Sequence, residues 1–335
     1  MSFHAIDLIS PAIEKTKAFF TGPDLRTKWI KIGILVFIFT ILSGGGGGSG
    51  GNFGSPGDST EFNEVGPQIQ SAIDSITPET WSLIITVAIV GFILLFLLGI
   101  LLNQIKNITF FAILESLKTN KVLIVPYWKK FWGKAISLTI FNTIIGVLSI
   151  PLIFGLLFVV FAGFALLFGI DISVFGPLKS LVTIPALLII GLIVFIGMIV
   201  FSLIGFLLTQ FAMYWMHISE MKAFEAFKKS YHLAVKNLME VVVLIVMKTI
   251  LGIAIGIISI IGVIIILIPF AIIAIVLGVL LVPFIIASPA LLILSILILI
   301  IGLLIFALIA TIILAPLTIF EFNYNLMFLD KLLGK

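Results

Sequence analysis

Basic residues are confined to alternate segments of a chain that is otherwise dominated by long apolar stretches. All but Lys179 and Lys248 of the 19 basic residues lie in the segments 1–31, 103–134, 217–240 and 319–335. The polar segments 44–80 and 170–180 are acidic, and Lys179 is their only basic residue. Since Lys and Arg are retained on the cytoplasmic side, this alternation predicts a multi-pass protein of the cell membrane with both termini in the cytoplasm.

The composition excludes a water-soluble fold. Hydrophobic residues make up 61% of the 335 residues and charged residues only 10%, whereas about 25% of a soluble domain is charged. The chain contains no cysteine, so disulfides and thiolate metal sites are excluded. The net charge is +4, but the lysines flank apolar stretches. This placement favours anionic lipid headgroups as partners and argues against nucleic acid.

Six apolar stretches approach or exceed the roughly 20 residues that a helix needs to cross a bilayer. They predict an all-α fold, a polytopic transmembrane helical bundle of about six spans, located at 25–43, 79–102, 134–168, 181–210, 239–267 and 290–318.

Prolines leave the topology open at two places. An alternative topology has 134–168 and 239–288 each crossing the membrane twice, with Pro151 and Pro269 at the breaks. A double crossing in only one of the two segments would move a lysine-rich segment to the outside. Whether 151–170 and 268–289 span or re-enter the membrane stays undecided. Irregular backbone is not tolerated in hydrocarbon, so we expect apolar, helical, partly embedded elements in 268–289.

The N-terminal residues 1–23 predict an interfacial amphipathic helix that precedes the first span, 24–43. Ser10 is the predicted N-cap, and the apolar side is formed by Ile9, Ile13, Phe19 and Phe20. A helix that packs against the protein's own spans agrees with this pattern equally well.

Residues 44–78 predict a Gly-rich acidic outer loop, with a short helix that opens at Pro67. Thr77 and Pro78 then begin the second span, as an N-cap and a first-turn proline.

An internal repeat organises the membrane bundle, 79–335. The motif LLNQ at 101–104 recurs as LLTQ at 207–210. An amphipathic helix and a further span follow each copy, which predicts two parallel units, 79–180 and 181–288, and a half unit, 289–335.

Two sets of motifs resemble known membrane proteins. Residues 7–13 (DLISPAI) and 29–32 (WIKI), followed by a glycine run, resemble an uncharacterised archaeal family of polytopic membrane proteins. Residues 223–230 (AFEAFKKS) and 235–237 (VKN) resemble the group around the membrane domain of glycerophosphoryl diester phosphodiesterases and the YciC family. The resemblance implies a helical bundle of repeated units. It carries over no catalytic residues, and the chain lacks a soluble phosphodiesterase domain.

Lys248 is the one ionisable residue well inside a predicted span. A charge at the bilayer centre costs at least ~2.5 kcal/mol, so Lys248 either lines a wet cavity that holds an anion or extends to the cytoplasmic headgroups. Gln104, Asn107 and Gln210 lie at the cytoplasmic mouth of the spans, where they either line the same cavity or tie neighbouring helices together.

Aromatic and basic side chains near the membrane edge predict contact with lipid headgroups. The candidates are Lys15, Lys17, Trp128, Lys129, Lys130 and Trp132.

Catalytic and metal chemistry have little support in the sequence. His217 and Glu220 share a helix face near His232, but zinc needs three or four ligands, so no metal site and no cofactor are predicted. The spans hold almost no acids or histidines. We therefore expect a non-enzymatic membrane protein that acts by oligomeric assembly or lipid interaction, with lipids and further copies of itself as partners. The alternative is a channel or carrier for a small apolar or weakly polar solute.

Overall fold

The computed structural model describes residues 4–21, 24–43, 77–167, 183–287 and 289–334, and all regular secondary structure in these ranges is helical. The elements are α1 His4–Asp7, α2 Ile9–Phe19, α3 Leu25–Leu42, α4 Pro78–Thr119, α5 Ile124–Leu167, α6 Ile184–Leu207, a π-helical turn Leu208–Ala212, α7 Met213–Ser219, α8 Ala223–Lys236, α9 Leu238–Ala287 and α10 Pro289–Leu332. The predicted Gly-rich loop, the helix from Pro67 and the acidic segment 170–180 lie outside the described residues.

The predicted all-α transmembrane bundle is confirmed. Within the described ranges, α4, α5, α6, α9 and α10 are long and apolar enough to cross a membrane. The predicted first span, α3, is not among these five. It has only 18 residues, and Arg26, Lys28 and Lys31 lie in its first two turns, which leaves a short apolar part.

The starts of the long helices agree with the predicted spans to within three residues for α3, α4, α6, α9 and α10. At the start of α4, the Thr77 side chain caps the helix by accepting a hydrogen bond from the Thr80 amide at 3.3 Å, and Pro78 occupies the first position. Capping chemistry at a helix start is local, which explains why the sequence locates it well.

The ends of α3, α5 and α6 agree with the prediction to within three residues, whereas the ends of α4, α9 and α10 and the start of α5 differ from it. Residues 103–134 were expected to form a separate cytoplasmic segment, but they are the continuation of α4 and the beginning of α5. A short turn joins the two helices at Asn120, which adopts the left-handed conformation at φ 55°. The predicted unit therefore contains a helical hairpin where a separate amphipathic helix was expected.

The proline-marked breaks do not occur. Helix α5 continues through Pro151 to Leu167, and α9 runs for 50 residues through Pro269 to Ala287. The two-crossing alternative is therefore wrong, whereas residues 268–287 are helical, as expected. A proline removes one backbone donor, whereas breaking a helix in an apolar environment would expose several more polar groups.

Most buried residues belong to one cluster, termed here the helix-end core. It combines parts of α1, α2 and α3 with the second half of α4, the first half of α5, the π-helical turn, α7, one face of α8, the start of α9 and the last turns of α10. The remaining lengths of the long helices, such as 81–102 and 293–305, expose most of their apolar side chains. Helix α3 lies between α10 and α4, α5 packs on α4 and α6, and α9 packs on α10.

The N-terminal helices pack against α10. Tyr324 donates a hydrogen bond from its hydroxyl to the Ala5 carbonyl at 2.9 Å, and Asn323 donates from Nδ2 to Thr16 Oγ1 at 3.1 Å. Residues 1–23 thus contain a helix that packs on one of the protein's own spans, as the second interpretation expected.

Two details of the N-terminal prediction are wrong. Helix α2 begins at Ile9 after Leu8, without a side-chain cap from Ser10. Ala12 and Thr16 are buried, whereas Ile13, predicted on the packed side, is 40% exposed. The close approach to α10 selects small side chains at the contact.

Candidate functional site

A large cavity lies at the border between the helix-end core and the exposed apolar stretches. Its volume is about 1270 Å³, and α3, α4, α5, α6, α9 and α10 all contribute to its wall. Apolar residues are interrupted by polar side chains, namely Thr40, Ser43, Asn103, Lys106, Asn107, Asn142, Tyr214, Ser259, Thr311, Thr318, Glu321 and Asn325. Such a mixture is typical of a small-molecule site, in which a few polar groups orient the ligand.

One face of α4 supplies a positive charge to the cavity. Asn103, Lys106, Asn107 and Phe110 all line it, and their spacing places them on the same side of the helix. Lys106 is half-buried, and in the parts of the chain that the structure describes no carboxylate lies within 4.0 Å of its ammonium group. The cation therefore faces the cavity without a counter-ion from these residues.

A directional hydrogen-bond relay sets the orientation of Asn107. Gln104 donates from Nε2 to the Trp132 carbonyl at 3.2 Å, so its Oε1 faces Thr139 and accepts from the Thr139 hydroxyl at 2.7 Å. That hydroxyl has then used its single hydrogen, and it accepts from Asn107 Nδ2 at 3.0 Å. The relay leaves Asn107 Oδ1 buried without a hydrogen-bond partner.

Helix α10 presents a second acceptor of the same kind. Asn325 lines the cavity, is 8% exposed, and its Oδ1 has no hydrogen-bond partner. Nearby Tyr214 is fully buried, and burial raises the pKa of its hydroxyl, which keeps the group protonated. An unsatisfied buried acceptor costs about 1–3 kcal/mol, so donors supplied by a bound molecule would stabilise this wall.

Lys248 does not line the cavity, but it forms an ion pair with Glu321, which does. Its Nζ lies 3.0 Å from Glu321 Oε1, and the two side chains are 16% and 27% exposed. Glu321, rather than Lys248, lines the cavity. Glu321 was not among the residues predicted from the sequence, although it is an acid near the apolar stretch of the last helix.

The three predicted amides take different positions. Asn107 lines the cavity, while Gln104 is buried behind it and ties α4 to α5. Gln210 belongs to the π-helical turn Leu208–Ala212, but its side chain is outside the part that the structure describes. Single π-helical turns occur frequently at functional sites, and Leu208 of this turn lines the cavity.

The candidates for headgroup contact lie on two helices. Lys15 and Lys17 are exposed on α2, and Lys129, Lys130 and Trp132 are exposed on α5. Trp128 is partly buried, and its indole nitrogen has no hydrogen-bond partner.

A cluster of buried Glu115 and His217 with exposed Lys130 joins α4, α5 and α7. Glu115 Oε1 accepts from Lys130 Nζ at 2.6 Å, and Glu115 Oε2 lies 2.9 Å from His217 Nε2. Burial lowers the pKa of His217, and the contact with Glu115 partly opposes that shift. Glu115 was not identified from the sequence, because its partners are 15 and 102 positions away.

The structure separates the histidines that the metal hypothesis considered. His217 contacts Glu115, whereas Glu220 is exposed and pairs with Lys134 at 3.5 Å. His232 contacts the Lys228 carbonyl through Nδ1 at 2.9 Å. Among the described residues, no three His, Cys, Asp or Glu side chains are grouped closely enough to hold a metal ion.

The fold defines a multi-pass helical membrane protein, and a partly open, mostly apolar cavity with several polar side chains lies between its long helices. The chain belongs to a family of unknown function, DUF7544, whose sequence profile matches residues 3–334. No curated protein and no solved structure matches the chain.

Proposed function

We propose that this protein is a carrier or channel that binds a small, weakly polar solute in the cavity between its long helices. The cavity itself carries this proposal, because its volume of about 1270 Å³ exceeds the roughly 300–1,000 Å³ of ordinary ligand pockets. Six helices share its wall, so movements of one helix against another change its shape. The unpaired oxygens of Asn107 and Asn325 provide polar contacts for a solute.

The test is flux in proteoliposomes that contain the full-length protein. Uptake of labelled amino acids, organic acids and polyols is compared for the unmodified protein, Lys248→Ala and Lys248→Glu. The matched control is Lys129→Ala, because Lys129 is exposed and does not line the cavity. We expect flux of at least one solute to change in both Lys248 variants and to persist in the control. Equal flux in all four proteins would remove the ion pair from the mechanism, and no flux of any solute would overturn the proposal.

A second candidate is a non-enzymatic role in oligomeric assembly or lipid interaction. The observation that favours it is the exposure of the apolar stretches, since at most 11% of the most apolar window in any of the five long helices is buried. These surfaces need lipid or further copies of the chain as partners, and nothing in this proposal involves nucleic acid. Native mass spectrometry from nanodiscs would support it by finding a closed oligomer with retained lipid. A monomer without effect on lipid order would contradict it.

The proposed location is the cell membrane, with both termini in the cytoplasm. The alternation of basic and acidic segments supports this orientation. Single cysteines are clean probes because the native chain has none. We expect a label at position 50 only from outside and labels at 130 and 228 only from inside; the reverse pattern would invert the topology.

We also propose the kinship with an archaeal family and with the phosphodiesterase membrane-domain and YciC group. Its support is the motif at 223–230, which forms the first turns of α8, directly before the long helix α9. A solved structure from that group tests the relationship. An amphipathic helix in the same position, with its small residues buried like Ala223 and Ala226, is the expected result, and a different topology would contradict it.

A further inference from the structure

We propose that the cavity recognises an anionic group that also carries hydroxyl or amine hydrogens, and that Lys106 is its cationic partner. This inference rests on the cavity of the proposed function and goes beyond it, because it assigns that cavity an anionic ligand where the proposed function has a weakly polar solute. The required group occurs in lipid headgroups, such as that of phosphatidylserine, and in free organic acids, such as phosphoserine.

The charges on the cavity wall do not balance. Glu321 and Lys106 are the two charged side chains that line it. Glu321 is neutralised by Lys248 at 3.0 Å, whereas Lys106 has no ion-pair partner among the residues that the structure describes. A lone charge beside apolar surface is unfavourable until an opposite charge arrives, so the wall selects an anion.

The unpaired oxygens add a second requirement. Asn107 is completely buried and Asn325 nearly so, and both line the cavity with an Oδ1 that lacks a donor. For Asn107 the relay through Thr139 and Gln104 prevents the amide from turning its nitrogen to the cavity. An anion without hydrogens leaves both oxygens unsatisfied, whereas a ligand with hydroxyl or amine groups pairs them.

The first experiment uses full-length protein in phosphatidylcholine nanodiscs that contain a minor share of phosphatidylserine. Native mass spectrometry counts the retained phosphatidylserine for the unmodified protein, Lys106→Gln, Lys106→Arg and the control Lys118→Gln, which changes an exposed lysine of the same helix outside the cavity wall. We expect Lys106→Gln to weaken retention at least about tenfold, while Lys106→Arg and the control stay within about threefold. Unfolding temperatures of the same samples verify that each variant is folded.

Two further experiments test whether the ligand is a soluble acid or a lipid, and whether its donor hydrogens contribute to binding. Free phosphoserine, titrated into phosphatidylcholine nanodiscs, binds with the same dependence on Lys106 if the ligand is a soluble acid. Phosphatidylmethanol carries a negative charge but no donor hydrogen, so we expect weaker retention than for phosphatidylserine. Equal retention of the two lipids would overturn the role of Asn107 and Asn325.

The outcomes separate this inference from the proposed function. Equal binding by Lys106→Gln and the unmodified protein, or an equal loss in Lys118→Gln, overturns the inference. If either of these results is found and a neutral solute still crosses the membrane, the carrier proposal remains valid. Binding that depends on Lys106 without flux of any solute supports the inference and contradicts the carrier.

Discussion

The indole N–H of Trp29 donates to the main-chain carbonyl of Ile312 at 2.6 Å. That carbonyl would normally accept from the amide four residues later, but this position is Pro316, which has no N–H. A side chain of α3 thus replaces the hydrogen bond that the proline removes from α10. The contact explains how α10 continues through a proline inside a packed region.

Trp29→Phe removes the donor and leaves the Ile312 carbonyl without a partner. We expect the free energy of unfolding to fall by about 1–3 kcal/mol, measured by chemical unfolding in detergent. Trp81→Phe is the control, since Trp81 is 40% exposed on an apolar stretch. In a Pro316→Ala background the amide of residue 316 serves the carbonyl, so Trp29→Phe should cost clearly less. An unchanged cost in that background would disprove the explanation.

Gly33→Ala should destabilise the protein because α3 and α10 touch at this residue. A Cβ at position 33 would lie 2.6 Å from Ile312 Cγ1 and 3.0 Å from Ile312 Cα. Since backbone must move to make room, we expect a loss of about 1–3 kcal/mol in the free energy of unfolding. Gly99→Ala is the matched control, with nothing within 4 Å of the added carbon. It should be neutral or stabilising by up to about 1 kcal/mol, and equal effects of both changes would contradict the contact.

Glu321→Gln should destabilise the protein by removing the ion-pair partner of Lys248. The two side chains are only partly exposed, so the expected loss lies between that of surface and buried pairs, at about 1–3 kcal/mol. The double variant Lys248→Glu with Glu321→Lys restores an ion pair of reversed polarity. Thermal unfolding should show partial recovery in the double variant, and additive losses would show that the pair does not interact.

Acidification should destabilise the helix-end core through His217. Burial lowers the pKa of this residue in the folded protein, so the unfolded chain binds the proton more readily. The contribution is therefore present above the ordinary histidine pKa of about 6.5 and is lost as pH falls below it. Unfolding midpoints measured from about pH 8 to about pH 5 should decline less steeply in His217→Gln. His232→Gln, which changes an exposed histidine, should keep the original slope, and parallel profiles for all three proteins would exclude the effect.

The sequence predicts where helices begin more accurately than where they end. Thr77 and Pro78 act through contacts a few residues away, which a reader of the sequence can recognise. The end of α4 is different, because residues 108–117 remain helical by packing in the helix-end core. That packing involves partners from α7 and α10, which are distant in sequence.

The site was predicted in part. Asn107 and the neighbourhood of Lys248 follow from polar residues at the edges of apolar stretches. Glu321 is visible in the sequence as an acid among apolar residues, but its ion pair with Lys248 depends on the packing of α9 against α10. The unpaired state of Asn107 Oδ1 could not be predicted from the sequence, because it depends on the Trp132 carbonyl and on Thr139 in another helix.

The two unusual turns bear on the predicted repeat, which stays a prediction. Asn120 and Glu220 are the non-glycine residues with positive φ in the described ranges, at 55° and 57°. Asn120 ends α4, which contains the LLNQ copy, whereas Glu220 ends α7, which follows the LLTQ copy. The two turns share a backbone geometry, but they lie 16 and 10 residues after the last residue of their motifs, so they do not occupy equivalent positions.

The position of the helix-end core divides each long helix into two parts with different tolerance to change. In α4, residues 81–102 need only remain apolar, so exchanges among Ile, Leu, Val and Phe alter little besides transfer to hydrocarbon. From Asn107 to Leu117 every residue is buried, so the shape of each side chain matters. A saturation scan along α4 would therefore show a step at one helical turn, with permissive positions on one side and restrictive positions on the other.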